Sequence, residues 1–304
     1  MNLDSFRLIA APHTPFCSDG RLNTTLVPAI YQRLIDTGVH GAFIAGTTGE
    51  GLSMTLKERM SLLEAWVKCK SKTAFELIVH VGHDCVQDAI VLAAHANSCG
   101  ASAVAALAPS DYKPPSVAAM IDYCEPIARA ARDLPFYLYD VPVITGVDLP
   151  ASAFLSAGNE RISNLAGVKY TNPNLSEMQL CVQHSNRKYD VLWGFDEALL
   201  AGISMGASGA VGGTYCFAAP QYFRILDAIA NNSWQLAREE QAKVVELVAI
   251  LFSNGGRAGL KYAMRAIGID CGPLRFPQEN LTTSQERELQ AALERIDFHR
   301  FTCP

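Results

Sequence analysis

No uninterrupted apolar run in this 304-residue chain approaches the ~18 residues that a membrane-crossing helix needs; the runs are short, as at 247–252. The opening stretch, Met1-Asn-Leu-Asp-Ser-Phe-Arg-Leu8, lacks the basic start and apolar core of a secretory leader, so neither a leader nor a membrane partner is expected. Basic charge is scarce: 25 Lys and Arg against 30 Asp and Glu give −5. That argues against a nucleic-acid partner, which needs a basic surface, but not against a local basic pocket. No Cys-x-x-Cys occurs, and the nine cysteines (17, 69, 85, 99, 124, 181, 216, 271 and 303) are odd in number and widely spaced. They read as reduced, mostly buried thiols of a cytoplasmic protein. Low-complexity and charge-block segments are absent too, and 49% hydrophobic with 18% charged residues is the composition of a globular chain.

What is present is a regular alternation. Eight short apolar runs, at 8–11, 42–45, 77–81, 103–108, 136–139, 165–168, 191–193 and 207–211, are rich in Val, Ile, Ala and aromatics and read as strands buried on both faces. Helical patterns lie between them. Thr55 with Glu58 forms a capping box that opens a helix through about Cys69, and a second helix spans 86–99 before Gly100. Gly38, Gly100 and Gly206 each stand between a helical stretch and an apolar run, where a left-handed residue stops a helix. Eight strand–helix units predict an α/β fold closed as a (β/α)8 TIM barrel over 1–231. The remainder, 232–304, carries no strand pattern and reads as a C-terminal helical extension with helices at 234–252, 258–268 and 284–296. Thr283 and Glu286 are the expected capping box of the last.

In such a barrel, chemistry belongs at the C-terminal ends of the strands. Five stretches lie there: Gly46-Thr-Thr-Gly-Glu50-Gly, Tyr137-Leu-Tyr139-Asp-Val-Pro142, Gly167-Val-Lys169-Tyr-Thr171, Gly194-Phe-Asp196-Glu197 and Gly212-Gly213-Thr214. Lys169 closes an apolar strand, where an ammonium is costly unless paired or used. On an inward face, Gly167 would leave space beside it. An ordinary lysine, with a pKa of about 10.4, holds almost no free amine at pH 7. Desolvation lowers that value and frees the lone pair for attack on a carbonyl. The plainer reading is a lysine whose head reaches solvent at the strand end. Tyr137 and Tyr139 share one face; a phenol beside an imine can move protons, and barrel filling is the default alternative. The 46–51 stretch has the wrong spacing for a nucleotide-phosphate loop, but its glycines and threonines suit a carboxylate cradle, if it is more than a strand-to-helix turn. Asp196 and Glu197 suit several hydroxyls, or simply begin a helix. His80, His83 and His95 show no metal-ligand spacing, so no metal is expected.

The motifs G-T-T-G-E at 46–50, Y-x-V-P at 139–142 and G-V-K at 167–169, in this order, resemble those of the pyruvate-dependent class I aldolases that include dihydrodipicolinate synthase and N-acetylneuraminate lyase. The resemblance covers nearly the whole chain and implies an eight-stranded barrel with a helical extension, usually assembled as a homotetramer. It implies Lys169 as the Schiff-base lysine and Tyr139 as the proton-transfer tyrosine. Thr47 and Thr48 become the pair that holds the pyruvate carboxylate, with Thr48 also serving the tyrosine. No cofactor is implied beyond the covalent Schiff base.

Within the family, Ile144 stands where dihydrodipicolinate synthases carry an arginine for a second carboxylate, which disfavours a dicarboxylic product. Ile144-Thr-Gly-Val147, Gly49-Glu-Gly-Leu-Ser53, His80-Val-Gly82, Gly194-Phe-Asp196-Glu197 and Pro273-Leu-Arg-Phe-Pro277 are similar to the sialic acid lyase branch. The resemblance then implies sugar contacts at Thr171, Gly194, Asp196, Glu197 and Gly213, and reversible cleavage of N-acetylneuraminate to pyruvate and N-acetylmannosamine. Gly213 replaces a usual serine, and Asp140 a usual Asn or His. Aldolases or dehydratases of other 2-keto-3-deoxy sugar acids, a hydroxy-oxoglutarate aldolase, and a catalytically silent ligand-binding member are the alternatives.

Overall fold

A computed structural model describes residues 3, 5–70, 74–184 and 187–303. Eight parallel strands pair in chain order, and the first closes on the last to complete a barrel. They are β1 (Arg7–Ala10), β2 (Gly41–Ile44), β3 (Glu76–His80), β4 (Ala103–Leu107), β5 (Phe136–Asp140), β6 (Leu165–Tyr170), β7 (Asp190–Trp193) and β8 (Gly209–Gly212). The helices that follow them are α1 (Val27–Asp36), α2 (Leu56–Cys69), α3 (Val86–Cys99), α4 (Val117–Ala130), the single turn α5 (Pro142–Thr145), α6 (Ala151–Arg161), α7 (Leu175–Gln183), α8 (Leu199–Met205) and α9 (Tyr215–Ala230). Beyond them come α10 (Trp234–Ser253), α11 (Arg257–Ala266), α12 (Thr283–Arg295) and α13 (His299–Thr302). The chain is a TIM barrel with C-terminal helices.

Alternation along the strands splits the core in two. Ile9, Phe43, Ile78, Ala103, Ala105, Leu107, Tyr137, Tyr139, Leu192 and Val211 fill the barrel interior, with Ala105 of β4 beside Tyr137 of β5 and Leu107 beside Tyr139. Leu8, Ile44, Leu77, Val104, Leu138, Val168, Trp193 and Ala210 face the helices. Gly38, Gly100 and Gly206 take φ of 74°, 77° and 95°, ending α1, α3 and α8 before the next strand.

Three expectations need correction. Thr282 with Gln285, not Thr283 with Glu286, caps α12; both pairs fit the pattern, and this choice leaves Glu286 to pair with Arg265 at 2.8 Å. Gly167 does not make room beside an amine. A Cβ there would lie 2.0 Å from the Asp190 carbonyl oxygen, so its service is the close approach of β6 to β7. The cysteines are all free, but only 124, 181, 216 and 271 are buried. Cys69 and Cys99 close helices at their outer ends, and Cys85 precedes α3 at the surface.

Candidate active site

The site forms where β5 and β6 end side by side. Tyr139 and Lys169 are register partners, and the barrel's alternation turns both inward. The Lys169 amine lies 3.6 Å from the centre of the Tyr139 ring and 4.6 Å from that of Phe43. Both residues are buried, and among the described residues no carboxylate pairs with Lys169. Burial alone would raise the Tyr139 phenol. The charge and hydrogen bond of Lys169, with help from Thr47 and Arg257, win and hold it below its ordinary value.

The 46–51 loop is tightly wound. Ala45 and Glu50, neither of them glycine, have φ of 56° and 53°. A Cβ on Gly51 would fall 1.8 Å from the Ala45 carbonyl oxygen, so only glycine closes the turn. Neighbours hold this uncommon backbone in place. His80 Nδ1 donates to the Ala45 carbonyl at 3.0 Å, while its Nε2 accepts from Leu107 N at 3.5 Å. Burial, then the charges of Arg59 and Lys169, keep that imidazole neutral, which suits this arrangement. The Thr14 hydroxyl donates to the Gly49 carbonyl. Glu50, buried, pairs with Lys261 at 2.9 Å and accepts from Arg275 N at 2.9 Å and Gln278 Nε2 at 3.2 Å. The segment after β1, the end of β3, α11 and the segment between α11 and α12 thus all grip the loop.

The two threonines exchange an expected contact. Thr47 Oγ1, not that of Thr48, lies 3.2 Å from the Tyr139 hydroxyl. Thr48 instead faces Gly213, where an added Cβ would stand 3.4 Å from the Thr48 Oγ1. The expectation for Thr48 came from the family resemblance alone; in this loop, which lies beyond the end of β2, it is the Thr47 hydroxyl that meets the phenol.

The opposite wall comes from the ends of β6, β7 and β8. Thr171 Oγ1 is buried with no hydrogen-bond partner among the described residues, and Gly194 packs directly against it; a Cβ there would sit 2.0 Å from that oxygen. Asp196 is less free than its sequence suggests. Its Oδ2 accepts from Thr214 N at 2.8 Å and from the Thr214 hydroxyl, and its Oδ1 rests where a Cβ on Gly212 would be. Burial pushes this carboxyl up to about 6 against the pull of Thr214 and Lys169. Glu197 is only half-buried. Asp140 points out of the barrel toward the α4–α6 side, beside Val117, Met120, Val147 and Phe154. Its Oδ2 accepts from Asn172 Nδ2 at 3.1 Å, and its carbonyl accepts from Thr171 N at 2.8 Å.

The Dihydrodipicolinate synthetase family matches residues 4–296. The chain belongs to this family. It is 37% identical to N-acetylneuraminate lyase A of Xenopus laevis over 273 residues, 89% of each chain. It also resembles two solved structures at 36% identity. One is the N-acetylneuraminate lyase of Proteus mirabilis, with TM-score 0.93 over 96% of this chain and 99% of that one. The other is the N-acetylneuraminate lyase (sialic acid aldolase) of Aliivibrio salmonicida, with TM-score 0.92 over 96% and 97%.

Several supports of this family site escape a sequence reading. Glu50 was visible only as a letter of the G-T-T-G-E motif, and Lys261, 211 positions on, had no signal at all. His80 looked like a weak metal candidate and is instead a brace for Ala45; among the described residues no group of three His, Cys, Asp or Glu is placed to hold a metal. His13 gave no signal either.

Proposed function

We propose that this chain is a Schiff-base aldolase that cleaves N-acetylneuraminate reversibly to pyruvate and N-acetylmannosamine. The observation that carries the reading is an inward lysine with no anion partner among the described residues, stacked on a phenol whose hydroxyl meets Thr47. In this reading the Lys169 amine attacks C2 of the open-chain keto acid, and loss of water gives a protonated imine. Tyr139 takes the proton of the C4 hydroxyl as the C3–C4 bond breaks, and the bonding pair flows to the imine nitrogen as an enamine. The aldehyde leaves as N-acetylmannosamine. The enamine is protonated at C3, and water releases pyruvate and the free lysine. The imine is itself the electron sink, so the reaction calls for no further cofactor. Thr47 and Thr48 hold the carboxylate, and Thr47 takes over the link to Tyr139 first assigned to Thr48.

Thr171, with its unpartnered hydroxyl, Glu197, and the backbone at Gly194 and Gly213 form the sugar side of the pocket in this proposal. Asp196 contributes through the oxygen that Thr214 leaves open. Ile144, aliphatic where dihydrodipicolinate synthases carry an arginine, supports a neutral polyol tail over a second carboxylate, as do the N-acetylneuraminate lyase names of the three relatives above. We divide the chain into a catalytic barrel over 1–231 and an extension over 232–304, and place it in the cytoplasm as a homotetramer, with pyruvate and a sugar acid as its small-molecule partners.

Two measurements test the reading. Borohydride added with pyruvate is expected to leave a reduced pyruvate adduct on Lys169, detected by peptide mass spectrometry. A panel of sugar acids is expected to release pyruvate fastest from N-acetylneuraminate. Absence of the adduct overturns the mechanism. Release only from shorter keto-deoxy acids overturns the substrate and keeps the mechanism.

A further inference from the structure

His13 lies just beyond the C-terminal end of β1, so it belongs to the mouth of the barrel, yet it is 1% exposed. Neither of its ring nitrogens has a hydrogen-bond partner among the described residues. Burial, followed by the charge of Lys261 and more weakly that of Arg257, pushes the imidazole down to about 3. At working pH it is therefore neutral, with one N–H donor and one bare nitrogen. A buried polar group left unpaired is destabilising, and an apolar side chain of similar size would avoid that loss. The imidazole needs a state of the site in which it is bonded.

Its surroundings indicate which state. The backbone acceptor that acts on the ring is that of Thr48: it favours the protonated ring nitrogen, yet no hydrogen bond of good geometry is completed among the described residues. The segment that carries His13 is fixed against the same loop. The Thr14 hydroxyl bonds the Gly49 carbonyl at 2.5 Å, and the Pro12 carbonyl oxygen lies 3.1 Å from where a Gly49 Cβ would be. Lys261 Nζ reaches the Thr14 carbonyl at 3.3 Å from the far side. The loop is the strained partner in this pair, since it holds Ala45 and Glu50 at left-handed φ, and the ring of His13 is the one neighbouring polar group whose bond to it is not made among the described residues. Hydrogen bonds at catalytic sites are often long in the empty enzyme and tighten once substrate is bound.

We infer that His13 is a positioning residue of the carboxylate cradle, donating its ring N–H to the Thr48 carbonyl when a keto acid occupies the loop. A bond to that carbonyl fixes the whole Thr48–Gly49 peptide plane, because the peptide is rigid. It thereby fixes the orientation from which the threonine pair meets the carboxylate. The inference rests on the aldolase reading above, in which this loop holds the keto acid.

The test compares the parent with His13→Leu, His13→Asn and His13→Gln, using pyruvate as the probe. Borohydride trapping gives the half-saturating pyruvate concentration, and cleavage of N-acetylneuraminate gives KM and kcat. His13→Leu is expected to raise the half-saturating concentration and KM by about 10-fold, the size of one hydrogen bond, with kcat changed by less than about 2-fold. One of the two amide variants should recover most of that loss. In parent protein labelled with 15N-histidine, the His13 ring signal should shift when pyruvate is added. Superimposable saturation curves for parent and His13→Leu, a fall in kcat at unchanged KM, or failure of both amide variants to recover the loss overturns the inference. If His13→Leu does not fold, the labelled parent decides: an unmoved His13 signal at saturating pyruvate overturns it. A parent that forms no adduct at all refutes the aldolase reading instead, which separates the two failures.

Discussion

Tyr137 and Tyr139 lie two residues apart on one strand and face the same barrel interior, yet they are different chemical groups. At the floor, Tyr137 donates to Asp190 at 2.8 Å; Asp190 pairs with Arg7 at 2.7 Å, and Arg7 with Glu76 at 3.1 Å. Burial and the adjoining carboxylate drive the Tyr137 phenol upward. At the mouth, Lys169 drives that of Tyr139 downward. The floor settles its polar groups among themselves. Among the described residues, the mouth leaves Lys169 without an anion, and Thr171 Oγ1 and both nitrogens of His13 without partners. Residue type and periodicity are the same at both tyrosines; what the adjacent strands present decides which is structural and which is reactive.

The sharpest way to break this contrast is to remove each hydroxyl in turn. Tyr139→Phe is expected to lower kcat by about 10³-fold, within the range for a lost general acid–base. It should still form the pyruvate adduct, since Lys169 remains. Tyr137→Phe should keep kcat within about 3-fold but destabilise the fold by about 2 kcal/mol, the net worth of one hydrogen bond to a charged group. Steady-state kinetics and urea unfolding on both variants settle it. Equal losses of kcat would dissolve the division between floor and mouth.

A smaller effect separates the two threonines. Thr47→Ala should lower kcat by about 10-fold, because it removes the hydroxyl that meets Tyr139. Thr48→Ala should act mostly on the KM for the keto acid. The reverse pattern would restore Thr48 as the tyrosine's partner and would mean that the loop rearranges on binding.

The architecture was readable because its signals are local. Left-handed glycines after α1, α3 and α8, the capping box at Thr55 and the two-residue alternation of the strands are each set within a few residues. Lys169 could be singled out because an ammonium closing an apolar strand is costly wherever the strand goes, whereas Tyr139 was told from Tyr137 only by the family resemblance. Their adjacency comes from the register of β5 with β6. What stayed hidden depends on distant partners or on special backbone. Glu50 with Lys261, and His80 beneath Ala45, are contacts that no periodicity encodes. The placement of Thr47 rather than Thr48 at the Tyr139 hydroxyl belongs to a loop beyond the end of β2, where no two-residue alternation assigns side chains to a face.

Asp140 tests the boundary between these regions, since it stands next to Tyr139 but on the outer face. Burial raises its carboxyl from an ordinary 3.8 to about 7, only partly offset by the hydrogen bond from Asn172. The folded chain therefore keeps a proton that the unfolded chain has lost between about pH 4 and 7. Stability falls as pH rises through that window and stays lower above it. Asp140→Asn removes the titration while leaving an oxygen for Asn172 to bond. It should stabilise the protein at pH 8 by on the order of 2–4 kcal/mol, an advantage that shrinks toward zero near pH 4. Thermal unfolding of both proteins across pH 4 to 8 gives the answer, with kcat expected to stay within about 2-fold because the carboxyl lies behind the reactive face. A gain that does not depend on pH would show that Asp140 is not a buried titrating group. A large loss of kcat would move Asp140 into the mouth's machinery and blur the line that Tyr139 otherwise draws.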